Sequence, residues 1–184
     1  ELGYKIKHLG IARRSAKGIE LRVHPTLIPA EELIANVNGV KNAVLVQANA
    51  VGPTLYYGAG AGAGPTASAV VADVIDIVRD IIYTEDGAGT IPQLAFEALS
   101  DLNILSSDEM TTGYYLRINA EDQTGVLADV TTILSRLGIG IDAIMQQPRL
   151  KDLIPIVILT DPIQESKMNE AIAKIQALSF VHGE

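Results

Sequence analysis

Cysteine and tryptophan are absent from the 184-residue sequence, and aromatic residues make up only 4% of it. Without cysteine the chain cannot form a disulfide framework, a thiolate metal site or a thiol nucleophile. Basic residues are also few, because 14 Lys and Arg stand against 22 Asp and Glu and give a formal net charge of −8. Nucleic-acid affinity depends mainly on Lys and Arg that neutralise phosphates. The composition therefore argues against a nucleic-acid partner.

The sequence has no apolar run close to the roughly 18 residues that a membrane-spanning helix needs. Its first residues, ELGY, include no initiator Met, no basic start and no apolar signal core. We therefore expect a cytoplasmic protein with no membrane partner, and we interpret both ends as cuts inside a longer chain. A chain of 184 residues is long enough to form a buried core without a metal or a disulfide, and a hydrophobic content of 48% argues against a disordered chain.

Residue patterns divide the chain into three parts. Residues 1–83 are predicted to form strands and helices, residues 84–112 a linker with one short amphipathic helix, and residues 113–184 a compact β-α-β-β-α-β alternation. The predicted fold class is α+β, with a mixed-sheet α/β region ahead of the alternating module. The first part has these predicted elements: a hairpin over 4–12 and 19–23 that Pro25 and Pro29 end, a short helix over 30–37, strands over 43–50 and 54–57, and a helix over 66–82 that Pro65 opens.

Candidate metal ligands and nucleophiles are sparse. Asp73, Asp76 and Asp80 recur at i, i+3 and i+7 on the long helix, which favours a solvated polar face over a metal or catalytic cluster. The histidines are scattered and are expected at surface or packing positions: His8, His24 and His182. We predict no metal site and no catalytic residue in this chain.

The glycine run ahead of Pro65 is the most unusual stretch. Residues 58–66 read GAGAGAGPT, between a predicted strand and a predicted helix. Glycines allow a ligand to approach the backbone closely, and a helix N-terminus favours anions. The run matches neither a P-loop nor a dinucleotide-binding fingerprint. On spacing alone, ligand contact and a packing turn are equally plausible.

In the C-terminal part, Asp122 and Gly125 lie where the first strand turns into the first helix. The N–H groups of Gly125, Val126 and Leu127 begin that helix and could hold a carboxylate. Asp122, one turn away, could pair with an ammonium group. Together these four residues would suit an amino acid, although Asp-x-x-Gly is also common turn chemistry. The third predicted strand, over 153–160, contains Pro155, which suggests an edge or end position. The second helix is expected to start at Asp161-Pro162, and the last strand is expected to be truncated.

Four segments in the first part resemble homoserine dehydrogenase. They are residues 6–12 (IKHLGIA), 23–29 (VHPTLIP), 40–44 (VKNAV) and 56–73 (YYGAGAGAGPTASAVVAD). The resemblance implies reduction of aspartate 4-semialdehyde to homoserine with NADPH or NADH, and it implies that this cofactor, NADP or NAD, is bound mostly by a domain upstream of this chain. It places one cofactor contact here, at Gly60 and Gly62. The family's catalytic lysines, substrate acids and cation site would also lie upstream, so the isolated chain is expected to be inactive. Two positions depart from common spellings of the family: Asn49, where Asp is frequent, and Ala59, where Arg is frequent.

The C-terminal part resembles an ACT domain, a ferredoxin-like βαββαβ module that binds amino acids. This resemblance implies an amino-acid effector, expected to be L-threonine, at Asp122, Gly125, Val126 and Leu127. It also implies a homo-oligomer, a dimer or a tetramer. The alternative is a stand-alone amino-acid-binding module without a catalytic parent. A third possibility is a purely structural dimerisation fragment.

Overall fold

The computed structural model describes residues 2–83, 101–149 and 153–183. These residues form two compact units, and the chain passes between them more than once. The first unit takes residues up to Leu9 and from Val23 to Asp101, and the second takes Gly10–Arg22 and Leu102–Glu184. Residues 84–100 of the predicted linker, with its short helix, lie outside the described residues.

The first unit is built from paired strands and one long helix. Its strands form two-stranded sheets. Its elements are β1 (Tyr4–Arg14), β2 (Ile19–Pro29), β3 (Lys41–Ala48), β4 (Gly52–Ala59) and α1 (Ala63–Tyr83). Strands β1 and β2 lie partly in the second unit. The two strands predicted over 43–50 and 54–57 are present with shifted bounds, and they pair as the antiparallel hairpin β3–β4. The helix predicted over 30–37 is only a short 3-10 helix, Leu33–Asn36.

The prediction that Pro25 and Pro29 end the second strand is wrong, because β2 includes both residues. In a two-stranded sheet each strand has one unpaired edge, where a proline loses no ladder hydrogen bond. The helix α1 begins at Ala63, earlier than predicted. Pro65 is tolerated there because the N–H groups of the first helical turn have no intrahelical partner.

The second unit contains the predicted βαββαβ order. Its four-stranded antiparallel sheet has the order β10-β6-β8-β7. The elements are β6 (Tyr115–Glu121), α2 (Val126–Arg136), β7 (Ile141–Gln146), β8 (Leu153–Thr160), α3 (Glu165–Gln176) and β10 (Val181–His182). Two further short strands pair with each other, β5 (Thr111–Thr112) and β9 (Ile163–Gln164). The core fills with side chains from the sheet and both helices, including Val130, Leu134, Ile158 and Met168.

Helix α2 ends as predicted, with Gly138 just beyond it. Gly138 has φ +71°. Its N–H donates to the Ser135 carbonyl at 3.0 Å, and the Ile139 N–H donates to the Leu134 carbonyl at 2.9 Å. This pair of bonds is a Schellman motif, which needs a left-handed residue after the helix.

The sequence pattern favours an edge or end position for Pro155. Strand β8 is central and not an edge, but Pro155 is its third residue and lies near the beginning of the strand. The Pro155 carbonyl accepts from the Gln147 N–H at 2.9 Å, one residue beyond the end of β7. In an antiparallel sheet the N–H and C=O of one residue face the same neighbouring strand. The N–H that Pro155 lacks would therefore face β7, at the point where the pairing of β7 with β8 ends. The helix expected from Asp161-Pro162 starts at Glu165, since β9 intervenes.

Candidate functional site

The glycine-rich turn between β4 and α1 holds the predicted cofactor residues, Gly60 and Gly62. The Gly60 N–H donates to the Val40 carbonyl at 3.0 Å. A Cβ on Gly60 would collide with the Asn42 side-chain amide. Gly62 has φ +122°, a conformation that glycine adopts at little cost. Packing against Asn42 therefore accounts for Gly60, and the backbone conformation accounts for Gly62. The contact of either glycine with a nucleotide stays a prediction.

The N-terminus of α1 follows this turn and is exposed to solvent. The Thr66 N–H donates to the Gly62 carbonyl at 3.1 Å. The N–H groups of Ala63 and Gly64 lie ahead of this first bond of the helix. Such N–H groups, at the positive end of the helix dipole, suit a phosphate or another anion.

Lys41 brings a positive side chain to the same end of the hairpin. It is the cross-strand partner of Ala59, and its Nζ lies 5.7 Å from the centre of the Tyr57 ring. Ala59 is the position at which the family resemblance often has Arg. The adjacent strand therefore supplies a cation beside the turn. Sequence reasoning missed Lys41, although counting outward from the turn between β3 and β4 would have found its register.

Large apolar surfaces remain uncovered in the first unit. On α1, Ile81 is 72% exposed and Ile82 is 67% exposed. The neighbouring hairpin adds exposed side chains, among them Val44, Leu45, Val46, Tyr56 and Tyr57. Surfaces of this size usually mark contacts with other protein.

The predicted effector residues lie where β6 turns into α2. Gly125 is the N-cap with φ +96°, and its carbonyl accepts the first helical bond from the Asp129 N–H at 2.9 Å. The N–H groups of Val126 and Leu127 precede that bond. The Val126 side chain is buried in the core, whereas that of Leu127 is exposed.

A cleft of about 550 Å³ opens beside this turn. It is lined by Glu121, Asp122, Arg149, Leu153 and His182. Arg149 Nη1 lies 3.7 Å from Asp122 Oδ2, and His182 Nε2 lies 2.9 Å from Glu121 Oε1. The cleft therefore has acceptors for a cation and donors for an anion within one small volume.

Of the four predicted effector residues, only Asp122 lines this cleft. Gly125, Val126 and Leu127 are not among its lining residues. Sequence reasoning did not assign Arg149 or Glu121 to the site, and it expected only a surface or packing role for His182. For His182 the predicted ferredoxin-like order contained the signal, because it places β10, which carries His182, beside β6, which carries Glu121.

A second polar cluster surrounds Tyr114. The Tyr114 hydroxyl is buried and has no hydrogen-bond partner among the described residues. Burial raises the pKa of Tyr114 above its usual value, the Glu165 carboxylate raises it further, and the Arg22 guanidinium opposes the rise.

Metal and membrane features are not found in the described parts of the chain. Within residues 2–83, 101–149 and 153–183, no group of three or more His, Asp or Glu side chains is arranged to hold a metal ion. Asp76 instead pairs with Arg79 at 3.4 Å on the exposed face of α1. Over the same residues, no helix is long and apolar enough to cross a membrane.

Two protein-family profiles match the chain. The homoserine dehydrogenase family matches residues 1–75, and the ACT domain family matches residues 114–177. The homoserine dehydrogenase of Pseudomonas aeruginosa is 55% identical, covering 99% of this chain and 42% of the relative. That of Neisseria gonorrhoeae is 51% identical, covering 98% of this chain and 42% of the relative. The chain thus spans about two fifths of the length of these relatives.

Solved structures give the same result. The crystal structure of a homoserine dehydrogenase from Thiobacillus denitrificans superposes with a TM-score of 0.89 at 55% identity, covering 100% of this chain and 41% of that one. A homoserine dehydrogenase from S. aureus gives a TM-score of 0.60 at 26% identity, covering 94% of this chain and 39% of that one. The resemblance found in the sequence and the α+β fold class are both confirmed.

Proposed function

Because this chain corresponds to the C-terminal part of proteins of the homoserine dehydrogenase family, we propose that it forms part of an enzyme that reduces L-aspartate 4-semialdehyde to L-homoserine with NADPH or NADH. The observation that carries this proposal is the match over nearly the whole chain, in both the dehydrogenase part and the ACT part. The enzyme would act in cytoplasmic synthesis of threonine, methionine and isoleucine.

In this proposal the first unit borders the cofactor. The nicotinamide nucleotide supplies the hydride that the aldehyde carbon accepts. The residues present fit an anionic nucleotide, since the exposed N-terminus of α1 and Lys41 are both electropositive. Gly60 and Gly62 would form the wall against which the nucleotide lies. The dinucleotide-binding domain, the catalytic lysines and the substrate acids are assigned to the rest of the enzyme, so the isolated chain should be inactive.

The second unit is proposed to bind an amino-acid effector, L-threonine. Its ammonium group would pair with Asp122, and its carboxylate would bind the N–H groups of Gly125, Val126 and Leu127. The cleft supports the ammonium end of this assignment, because Asp122 lines it, whereas Gly125, Val126 and Leu127 do not. An effector regulates only if it binds two states of the enzyme with different affinity.

We also propose a homo-oligomer. The exposed apolar side chains of α1 and of the β3–β4 hairpin support this, because burying them against other protein would be favourable. Part of this surface is assigned to a second copy, in a dimer or a tetramer.

Three measurements test the proposed function. The longer protein that carries this chain should oxidise NADPH or NADH in the presence of aspartate 4-semialdehyde, and this chain alone should not. Calorimetry of this chain with millimolar L-threonine should give a saturable heat, and D-threonine should give much less. Turnover by the chain alone would refute the assignment of catalysis to the missing part. The lack of a threonine heat would refute the effector site without affecting the dehydrogenase assignment.

A further inference from the structure

The tip of the β1–β2 hairpin carries a buried carboxylate between two arginines. The Glu20 side chain is only 2% exposed. Arg13 Nε and Nη2 each lie 2.7 Å from Glu20 Oε2, and Arg22 Nη1 lies 3.0 Å from Oε1. The Arg22 contact is an ion pair without hydrogen-bond alignment, since Oε1 has no aligned donor among the described residues. A carboxylate this buried is tolerated only when it is paired.

The same hairpin tip is bonded to residues far along the chain. The Ile19 N–H donates to the Asn103 carbonyl at 2.8 Å, and the Leu105 N–H donates back to the Ile19 carbonyl at 2.9 Å. Arg13 Nη2 also donates to the Thr111 carbonyl at 3.4 Å. The tip is therefore attached to the second unit by backbone and side-chain bonds.

The other end of the β1–β2 hairpin belongs to the first unit. Strand β1 begins in the first unit and enters the second at Gly10, and β2 returns to the first unit at Val23. Both boundaries fall inside strands. Paired strands are stiffer than a loop, so a displacement of the tip must be taken up by the strands that continue from it.

We propose that Glu20 is a positioning residue that fixes the hairpin tip in the second unit, and that β1 and β2 transmit effector binding to the first unit. The second half of this inference rests on the proposed function, which supplies the effector. Glu20 touches neither effector nor substrate in this proposal. Its role is to hold Arg13 and Arg22 so that the tip moves with the second unit.

The experiment uses the full-length enzyme and Glu20→Gln, which keeps the side-chain shape and removes the charge. Glu170→Gln is the matched control, because Glu170 pairs with Lys174 at 2.6 Å in the same unit but both side chains are half exposed. Hydrogen exchange at the Ile19 and Leu105 amides reports the attachment of the tip. The ratio of activities without and with saturating threonine reports transmission, and calorimetry reports threonine binding.

Glu20→Gln should accelerate exchange at both amides by about tenfold or more. It should lower the activity ratio at least about threefold while leaving threonine affinity and basal activity close to wild type. Glu170→Gln should change none of these. If Glu20→Gln does not fold, Arg13→Lys decides, because it keeps the positive charge but loses the two-nitrogen contact; its effects should be smaller and in the same direction.

Unchanged exchange in Glu20→Gln, or in Arg13→Lys if that variant decides, would overturn the positioning role. Faster exchange with an unchanged activity ratio would overturn transmission through the hairpin. A wild-type enzyme that ignores threonine would refute the effector assignment and transmission together. The exchange result would still judge the positioning role of Glu20 separately.

Discussion

Lys41 and Ala59 face each other across the β3–β4 ladder, so a lysine ammonium stands beside the strand that leads into the glycine-rich turn. Ala59 replaces the arginine that is frequent at this position in the resembling family. Lys41 places a cationic side chain on the neighbouring strand, and its Nζ lies near the face of Tyr57.

Lys41→Met should weaken cofactor binding in the full-length enzyme. Loss of one exposed charge near a phosphate should raise the KM for the nicotinamide nucleotide about three- to tenfold and leave kcat nearly unchanged. Raising the ionic strength should reduce the difference between wild type and variant. Lys174→Met is the control, since Lys174 is on α3 in the second unit. A KM for the nicotinamide nucleotide that is the same in Lys41→Met as in Lys174→Met would contradict a cofactor role for Lys41.

Gly60→Ala should destabilise the first unit, because the added methyl group meets the Asn42 side chain. Overpacking of this kind costs about 1–3 kcal/mol, measurable by urea unfolding of the full-length enzyme. Asn42→Ala should remove the two shortest contacts and leave only the contact with the Cβ of residue 42, at 3.0 Å, so the double variant should regain most of that stability.

The same double variant separates packing from cofactor contact. If the nucleotide lies against Gly60, the methyl group will still raise the cofactor KM after stability has been restored. A double variant with wild-type stability and wild-type KM would show that Gly60 is needed only for Asn42.

Asp122→Asn should weaken threonine binding about tenfold or more, because an amide cannot offset the charge of the ammonium group. Calorimetry on this chain measures the dissociation constant. The variant should change stability little, since the Asp122–Arg149 pair is long and half exposed. Asp142→Asn is the control, because Asp142 is an exposed residue of β7. Equal affinities for both variants would place the ammonium site elsewhere.

Tyr114 should make the stability of the second unit depend on alkaline pH. Its pKa is raised in the folded state, so the folded protein keeps the phenolic proton at a pH where the unfolded chain has lost it. Its stabilising contribution is complete below pH 10.0 and falls as the pH rises above that value. Tyr114→Phe removes this dependence. Urea unfolding at pH 8 and at about pH 10.5 should show a smaller loss of stability for the variant than for wild type.

The sequence was most informative where one local pattern decides the structure. The apolar stripe of α2 and Gly138 predicted both a helix and its end, because the Schellman motif involves only neighbouring residues. The prolines were misleading at Pro25 and Pro29, which lie within β2, and Pro155 lies near the beginning of a central strand instead of at an edge. The sequence shows that an N–H is missing, but only the sheet shows whether a partner strand was available there.

The candidate sites depended on pairings that are distant in sequence. Arg149 reaches Asp122 because the sheet order places the end of β7 near the end of β6, and no local pattern reports that. Glu20 is different, because folding the sequence about the turn at 15–18 places Arg13 opposite it and Arg22 two residues on. The alternation of charge on the predicted hairpin therefore contains the signal for this cluster.

The path of the chain has a practical consequence for transplanting the ACT-like module. A fragment that begins after α1 would leave out the thirteen residues from Gly10 to Arg22, which fold with that module although they come from the other end of the chain. Such a fragment would lack Ile19, and the backbone of Asn103 and Leu105 would lose its partner. A transfer of this module to another enzyme should therefore include the hairpin tip. Because the module consists of two separate chain segments, its transfer would require two insertions.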